Sequence, residues 1–285
     1  MKEKNQLLHR LKKSKFFIVG LILTFSIVFL SIAAPYFVTF DATKSNLEET
    51  LISPQYFSKG LNGHIFGTDN LGRDILTRLL IGSRYSLFIA ITAVSFAVLI
   101  GIITGLYAGY YGGWIDNLIM RFADTQLSIP QLLLATAIVS VLGPNIRNLI
   151  IVLTVTTWPH IARLVRGNAM IVRETEFVKA SRVLGASDPW IIFTQIFPNI
   201  TTPLMIIASQ RAGFMILMES GLSFLGLGVQ PPTPSWGIMI AEGRQYLMIS
   251  PWIIMAPGIA LMITVLAFNF IGDGLRDALD PKMKT

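Results

Sequence analysis

Residues that could do chemistry are sparse in this chain of 285 residues, and their spacing excludes several kinds of site. The three histidines, His9, His64 and His160, are isolated from one another and do not form a paired metal-ligand motif. The chain has no cysteine, which excludes disulfides and thiolate metal sites. It also lacks a Gly-x4-Gly-Lys-Ser/Thr phosphate loop and a nucleophile-elbow motif. We therefore expect that the chain has no catalytic residues and binds no cofactor or metal itself.

Two ionisable residues, Arg211 and Glu219, interrupt an apolar stretch over residues 199–222. An ionisable group inside a membrane span is costly and commonly marks a transport pathway. Eight helical residues separate the two by about 12 Å along the axis, so we do not expect a direct ion pair. The pattern predicts that both residues line a translocation pathway. The alternative is that both lie near a membrane interface, with the span boundaries placed differently.

The composition indicates that these residues are positioned by membrane-spanning helices. The chain is 53% hydrophobic and only 14% charged, and its mean hydropathy is +0.62. A soluble domain has about a quarter of its residues charged. The net charge of +7 could suit nucleic acid, but excess Lys and Arg in a membrane protein usually marks cytoplasmic loops. We therefore expect the chain to lie in the lipid bilayer and not to bind nucleic acid.

The apolar runs predict an all-α integral membrane protein with about six transmembrane helices, because each span needs about 20 mainly apolar residues. The candidate spans are 16–40, 86–113, 125–146, 148–162, 199–222 and 250–272. The division that follows is a tail over 1–15, a first helix over 16–40, an extracytoplasmic segment over 41–84, a core of five helices over 85–272 and a tail over 273–285.

Charge asymmetry predicts the orientation. Residues 1–15 carry six Lys and Arg before a long apolar run, and we interpret this run as an uncleaved first span, although Ser31–Ala34 resembles a signal-peptide cleavage site. With six spans, the segments on the side of the termini hold 15 of the 23 Lys and Arg residues, and the opposite segments hold 7. The positive-inside rule then places both termini in the cytoplasm.

The segment over 41–84 contains apolar residues at helical spacing between charged ones, from Leu71 to Leu80. This pattern favours an amphipathic segment at the outer membrane surface or packed on the bundle, with a solvated connector as the alternative. Gly101, Gly105 and Gly109 follow at four-residue spacing, which indicates close helix packing and not a cofactor site.

A short polar element, EFVKASRVLGASDP, interrupts the apolar runs between Glu176 and Pro189. Its spacing predicts a short helix with an apolar face that packs on the spans and a polar stripe that faces a cytoplasmic partner. The apolar face comprises Phe177, Ala180 and Leu184, and the polar stripe comprises Glu176, Lys179 and Arg182. Gly185 is a typical helix C-cap, and Asp188 before Pro189 indicates the N-cap of a second helix. An interfacial helix that only covers the bundle is the other interpretation.

The longer stretch EFVKASRVLGASDPWIIFTQIFPN resembles the coupling-loop motif of permease subunits from bacterial ABC importers. That motif is Glu-Ala-Ala, three residues, Gly, nine residues, Ile-x-Leu-Pro. The matching positions are Ala180, Gly185 and Pro198, and the departures are Lys179, Ser181, Gln195 and Phe197. The segments FGTDNLGRD, YYGGWIDNLIMRFAD, LVRGNAM, GLSFLGLGVQPPTPSWG and AFNFIGDGLRDALDP also look like the second permease subunit of the dipeptide/oligopeptide group. Nickel importers share much of this pattern.

The resemblance implies the type I ABC importer architecture, a homologous permease as heterodimer partner, two cytoplasmic ABC ATPase subunits and an extracytoplasmic substrate-binding protein. ATP and Mg would be bound by the ATPases. The cargo would be dipeptides or oligopeptides, with nickel or a metal chelate as the alternative, in a bacterial cytoplasmic membrane. The coupling helix, over 174–187, would dock on an ATPase. Its candidate contact residues are Glu176, Phe177, Lys179, Ala180, Ser181, Arg182, Leu184, Gly185 and Ala186.

Two other classes of function remain open from the residues. A membrane-embedded enzyme would need convergent catalytic groups, and only Arg211 and Glu219 are candidates within the spans. An ion-driven carrier acting alone would need intramembrane charges in several helices and no ATPase. Co-purification with an ATPase subunit discriminates between these classes and an ABC permease.

Overall fold

The computed structural model describes residue 11, residues 14–55 and residues 63–279, and helices account for most of them. The elements are α1 (Lys15–Phe37), α2 (Ile75–Tyr111), α3 (Gly113–Leu127), α4 (Gln131–Leu142), α5 (Ile146–Arg173), α6 (Glu176–Val183), α7 (Asp188–Phe224), α8 (Trp236–Gly243) and α9 (Trp252–Leu279). Most of the tail predicted over 1–15 and residues 280–285 lie outside the described residues.

Five helices, α1, α2, α5, α7 and α9, are long and apolar enough to cross a membrane. The bent pair α3–α4 raises the number to six if it counts as one span. The prediction of about six spans in an all-α fold is therefore confirmed. The third predicted span is not one straight helix, because the chain bends by 92° between α3 and α4. Pro130 at this break cannot donate the backbone hydrogen bond that would continue α3.

The second span begins earlier than the sequence predicts. Most of the segment Leu71–Leu80, expected as a separate amphipathic element, forms the first turns of α2. The side chain of Asp74 caps this helix by accepting a hydrogen bond from the Thr77 amide at 2.7 Å. The position at the outer membrane surface is therefore wrong, whereas packing on the bundle, the other form of the prediction, agrees with the burial of Ile75 and Arg78. The charged residues of the segment find partners inside the protein, which lets the helix continue without a break.

Helices α2 and α5 form the most extensive interface of the bundle. Gly101, Gly105 and Gly109 lie on the contact face of α2, as their spacing predicts. A β-carbon added at Gly105 would lie 2.6 Å from the carbonyl oxygen of Ala162 and 2.7 Å from the β-carbon of Val165. The two backbones can approach this closely only because α2 has no side chain at these positions.

The remaining long helices assemble around this pair. Helix α7 packs on both α2 and α5, and α9 packs between α7 and the peripheral helix α1. Gly20 of α1 gives close contact with α9, since an added β-carbon would lie 2.8 Å from the Ile271 amide nitrogen. Helix α9 continues to Leu279, so part of the tail predicted over 273–285 is helical.

Helix α2 connects two ends of the bundle that have different chemistry. With 37 residues it is about 55 Å long. Near its start, Leu79 accepts a hydrogen bond from the Trp236 indole of α8 at 3.1 Å. At its last turn, Tyr110 donates a hydrogen bond to Asp188 at the start of α7, at 2.6 Å. We call these the α8 end and the α6 end.

The α2–α5 contact predicts that Gly105→Ala destabilises the bundle by about 1–3 kcal/mol, because the added methyl group meets the backbone of α5. Gly167→Ala is the matched control, since a β-carbon at Gly167 of α5 has no atom within 4 Å. Unfolding of the purified protein by SDS titration in mixed micelles measures the difference. Equal stability of the two variants would contradict the close contact.

Candidate functional site

At the α6 end, the chain forms the short helix, glycine turn and second helix that the sequence predicts. Helix α6 ends at Val183, and Gly185 has a φ of +82°, a left-handed conformation that glycine adopts without strain. Ser187, not Asp188, precedes the first residue of α7, so the predicted N-cap is displaced by one residue. The candidate docking residues therefore lie together on one projecting turn.

The face of α6 that contacts the bundle differs from the predicted one. Val178 is the buried residue of α6, and Ser181, one turn later, accepts a hydrogen bond from the Gln195 side chain at 2.6 Å. Phe177 and Ala180 are exposed, and Leu184 is 86% exposed, so the apolar face expected to pack on the spans points away from them. The buried Val178 and the hydrogen bond to α7 together define the face of α6 that contacts the bundle.

The α6 end therefore presents apolar and charged side chains on one surface. Val183 is 88% exposed beside Leu184. In the polar stripe, the Lys179 ammonium lies 3.5 Å from the Glu176 carboxylate, and both side chains are solvent-accessible. Exposed apolar groups rimmed by charge are typical of a protein-interaction surface.

Contacts between α2 and the α6 turn hold this surface in place. Besides the bond from Tyr110 to Asp188, the Arg173 guanidinium donates to the Tyr110 carbonyl at 3.0 Å. The Arg182 guanidinium lies 5.3 Å above the Tyr110 ring, within the range of a cation–π contact. Tyr110 was not predicted as a site residue, because its sequence position resembles that of any aromatic residue at a span end.

The two ionisable residues of α7 have different environments. Glu219 is fully buried, and its carboxylate accepts hydrogen bonds from the hydroxyls of Ser223 at 2.8 Å and Ser220 at 3.3 Å. The hydroxyls of Ser86 and Ser235 also interact with this carboxylate. Glu219 therefore joins α7 to α2 and to the start of α8. The pathway role predicted for it remains a prediction.

Arg211 lies in an open cleft between α7 and α9. The cleft has a volume of about 290 Å³ and is lined by Ile207, Gln210, Arg211, Phe214, Leu217, Val265 and Asn269. The guanidinium lies 5.6 Å from the Phe214 ring. Within the described residues it has neither a hydrogen bond nor an ion pair, so no direct pair with Glu219 forms, as the spacing predicts. Arg211 is 13 residues from the end of α7, and Glu219 lies nearer to that end. The pathway role and the alternative of a position near a membrane interface both stay predictions.

The α8 end contains a buried network of ion pairs. The Asp69 carboxylate lies 2.7 Å from the Arg73 guanidinium and 2.8 Å from that of Arg78. Glu242 of α8 bridges the same two arginines at 2.9 Å and 2.8 Å. Burial raises the pKa of the Glu242 carboxyl, and the charge of Arg73 opposes this shift. The His64 imidazole lies 2.9 Å from the Asp74 carboxylate and 3.2 Å from the Glu49 carboxylate. Sequence analysis missed this network, because Glu242 is more than 160 residues from Arg78.

Two family models match the chain. The one described as "Binding-protein-dependent transport system inner membrane component" matches residues 97–285. The one described as "N-terminal TM domain of oligopeptide transport permease C" matches residues 5–54.

Curated relatives align over most of the chain. The dipeptide transport system permease protein DppC of Alkalihalophilus pseudofirmus is 44% identical over 97% of this chain and 89% of its own length. A putative peptide transport system permease protein of Brucella suis is 42% identical over 96% of this chain and 90% of its own length. The glutathione transport system permease protein GsiD of Escherichia coli is 47% identical over 78% of this chain and 73% of its own length.

A solved structure has a similar fold. A chain of the MetNI methionine ABC transporter, in an inward-facing conformation, superposes with a TM-score of 0.59. The superposition covers 72% of this chain and 98% of that chain, at 21% sequence identity. The predicted architecture of a type I ABC importer permease is confirmed at the level of the fold.

The buried network predicts that Arg78→Gln lowers the free energy of unfolding by about 3–5 kcal/mol, because Asp69 and Glu242 lose a buried partner. Arg84→Gln is the matched control, since Arg84 is exposed on the same helix. Arg78 lies 2.8 Å from the Glu242 carboxylate, so the substitution removes a positive charge beside a carboxyl whose pKa burial already raises. Because the unpaired carboxylate is costly only when ionised, the deficit should grow as pH rises and shrink in acid. SDS titration of both variants at several pH values measures this, and equal stability would contradict the network.

Proposed function

The chain belongs to the family of binding-protein-dependent transport system inner membrane components, and from that premise we propose that it forms half of the translocation pathway of an ATP-driven peptide importer. A homologous permease subunit provides the other half. The chain is a multi-pass membrane protein, and the proposed location is the bacterial cytoplasmic membrane with both termini in the cytoplasm. The charge asymmetry of the sequence supports this orientation.

The observation that carries this proposal is the surface of the α6 end. It is the region that resembles a coupling loop, and it projects exposed apolar residues, among them Val183 and Leu184, next to the charged stripe. Two ABC ATPase subunits dock at this end of the complex, one of them on α6. Since no phosphate loop occurs in the chain, ATP and Mg bind to those subunits, and the permease is not itself an enzyme.

The packing supports a mechanical route from this surface to the opposite end. A glycine turn joins α6 directly to α7, and Tyr110 ties the start of α7 to the last turn of α2. A displacement of α6 by an ATPase therefore moves α7 and α2 together. Because α2 reaches the α8 end, the same displacement shifts the described residues of the segments 41–84 and 222–246. In the proposed orientation these segments face the binding protein.

Dipeptides or oligopeptides are the proposed cargo. Relatives named for dipeptide, peptide and glutathione transport are each more than 40% identical to the chain. Nickel or a metal chelate, the alternative considered from the sequence, is not favoured by these relatives. The binding protein, which is a separate chain, selects among peptides.

Reconstitution of the complete complex in proteoliposomes tests the function. With ATP inside the vesicles and the peptide-loaded binding protein on the opposite side, we expect ATP-dependent accumulation of a labelled dipeptide. Omission of the ATPase subunits should abolish it. Transport that continues without any ATPase would instead indicate an ion-driven carrier.

The exposed α6 surface predicts that Leu184→Asp reduces co-purification of the ATPase at least about tenfold, because a desolvated carboxylate replaces an apolar contact. The stability of the permease should not change, since Leu184 makes little contact with the bundle. Met248→Asp, at a residue that is 94% exposed at the α8 end, is the matched control and should retain the ATPase. Full recovery of the ATPase with Leu184→Asp would exclude this surface as the docking site.

A further inference from the structure

The Arg211 cleft carries a charge that the described part of the chain does not neutralise. Within the described residues, the Arg211 guanidinium makes no hydrogen bond and no ion pair. The Phe214 ring lies 5.6 Å from it. His160 of α5 is the other titratable group that interacts with Arg211 electrostatically, and it cannot supply a negative charge. Within the described residues, no acidic group balances Arg211, so the cleft is suited to an anion from another molecule.

The position of Arg211 within the apolar helix α7 indicates polar surroundings and not lipid chains. Thirteen residues separate it from the end of α7, which corresponds to about 20 Å of helix, and a longer stretch separates it from the start. A charged side chain at such a depth almost always faces the bundle interior or a water-filled cavity. The cleft therefore opens to the translocation pathway or to a partner subunit. The positive charge of Arg211 attracts an anion to it.

We propose that the cleft binds the free α-carboxylate of a peptide during translocation, an inference that rests on the proposed peptide-import function. Gln210 and Asn269 line the cleft beside Arg211, and within the described residues neither amide side chain is engaged in a hydrogen bond. Two amides and a guanidinium supply several donors for one carboxylate, and the planar guanidinium suits bidentate binding. No acidic residue lines the cleft, so the positively charged end of a peptide is not favoured there.

The dimensions indicate that only one end of the peptide enters. The volume of about 290 Å³ lies at the lower limit for pockets that hold a whole small ligand. Phe214 and Leu217, which also line the cleft, offer apolar contact for a C-terminal side chain. The site would therefore recognise a feature that peptides of different sequence share, which suits a permease whose binding protein selects among them.

Cysteine protection in the complete purified complex in nanodiscs tests this site. The chain has no native cysteine, so Leu217→Cys introduces a single reporter in the cleft, where Leu217 is 46% exposed. Labelling by N-ethylmaleimide is measured on this chain by mass spectrometry with three probes. They are Ala-Phe, N-acetyl-Ala-Phe and Ala-Phe amide. Met248→Cys, outside the cleft, is the control for general effects of the peptides.

We expect Ala-Phe and N-acetyl-Ala-Phe to slow the labelling of Leu217→Cys, and the amide to need about tenfold more peptide for equal protection. Addition of Arg211→Gln should make acid and amide equivalent, whereas Arg211→Lys should keep part of the preference. Labelling of Met248→Cys should not respond. Neither Arg211 substitution should change the recovery of the partner permease.

Three results would overturn the site: no protection by any of these peptides, equal protection by acid and amide with Arg211 present, or an unchanged preference after Arg211→Gln. Loss of the partner permease from Arg211→Gln would instead assign Arg211 to an intersubunit ion pair, which also refutes the proposal. These experiments also distinguish failure of the proposed import function from failure of the proposed carboxylate site. If the complex does not accumulate peptide with ATP but acid-selective protection persists, the site is retained and the import function is refuted.

Discussion

The close approach of α2 and α5 is the constraint on which the other features depend. In a lipid bilayer, helices gain little hydrophobic free energy by contacting one another, so their association relies on close packing. Glycines make this possible because they let two helix backbones approach closely. The glycines at 101, 105 and 109 place α2 directly against α5 over about 12 Å of helix. This contact aligns the start of α2 with α8 and its last turn with the α6 turn. Helix α7 then packs against both α2 and α5, which sets the position of Arg211.

Charge is treated differently at the two ends and in the middle of the bundle. At the α8 end, Asp69 and Glu242 share two arginines, and the desolvation cost of each group is offset by its neighbours. At the α6 end, the charged residues remain in contact with solvent beside exposed apolar groups. Arg211 lies in an open cleft and has no acidic partner among the described residues. The network therefore serves the internal order of the protein, whereas the α6 end and the Arg211 cleft are open to other molecules.

Much of the fold could be predicted because apolar run length is a local property. The spans of α1 and α9, the glycine turn at Gly185 and the four-residue glycine spacing each depend on a few neighbouring residues. Errors arose where a distant contact decided the outcome. The first turns of α2 were assigned to a separate element because the partner of Arg78 lies far along the chain. The contact face of α6 differs from the predicted one, since Val178 packs inward and Ser181 bonds to Gln195, a residue of the next helix.

The sequence by itself determined that this is a helical membrane protein, where its polar interruption lies and to which family its motifs belong, since these features depend on composition and on short spacings. Only the tertiary structure decided which of the polar residues are satisfied. It buries Glu219 among serine hydroxyls, pairs Arg78 with Glu242 and leaves Arg211 without an acidic neighbour in the described chain. The physical reason is that the cost of a charge depends on what surrounds it, and those surroundings come from helices that are far apart in the chain.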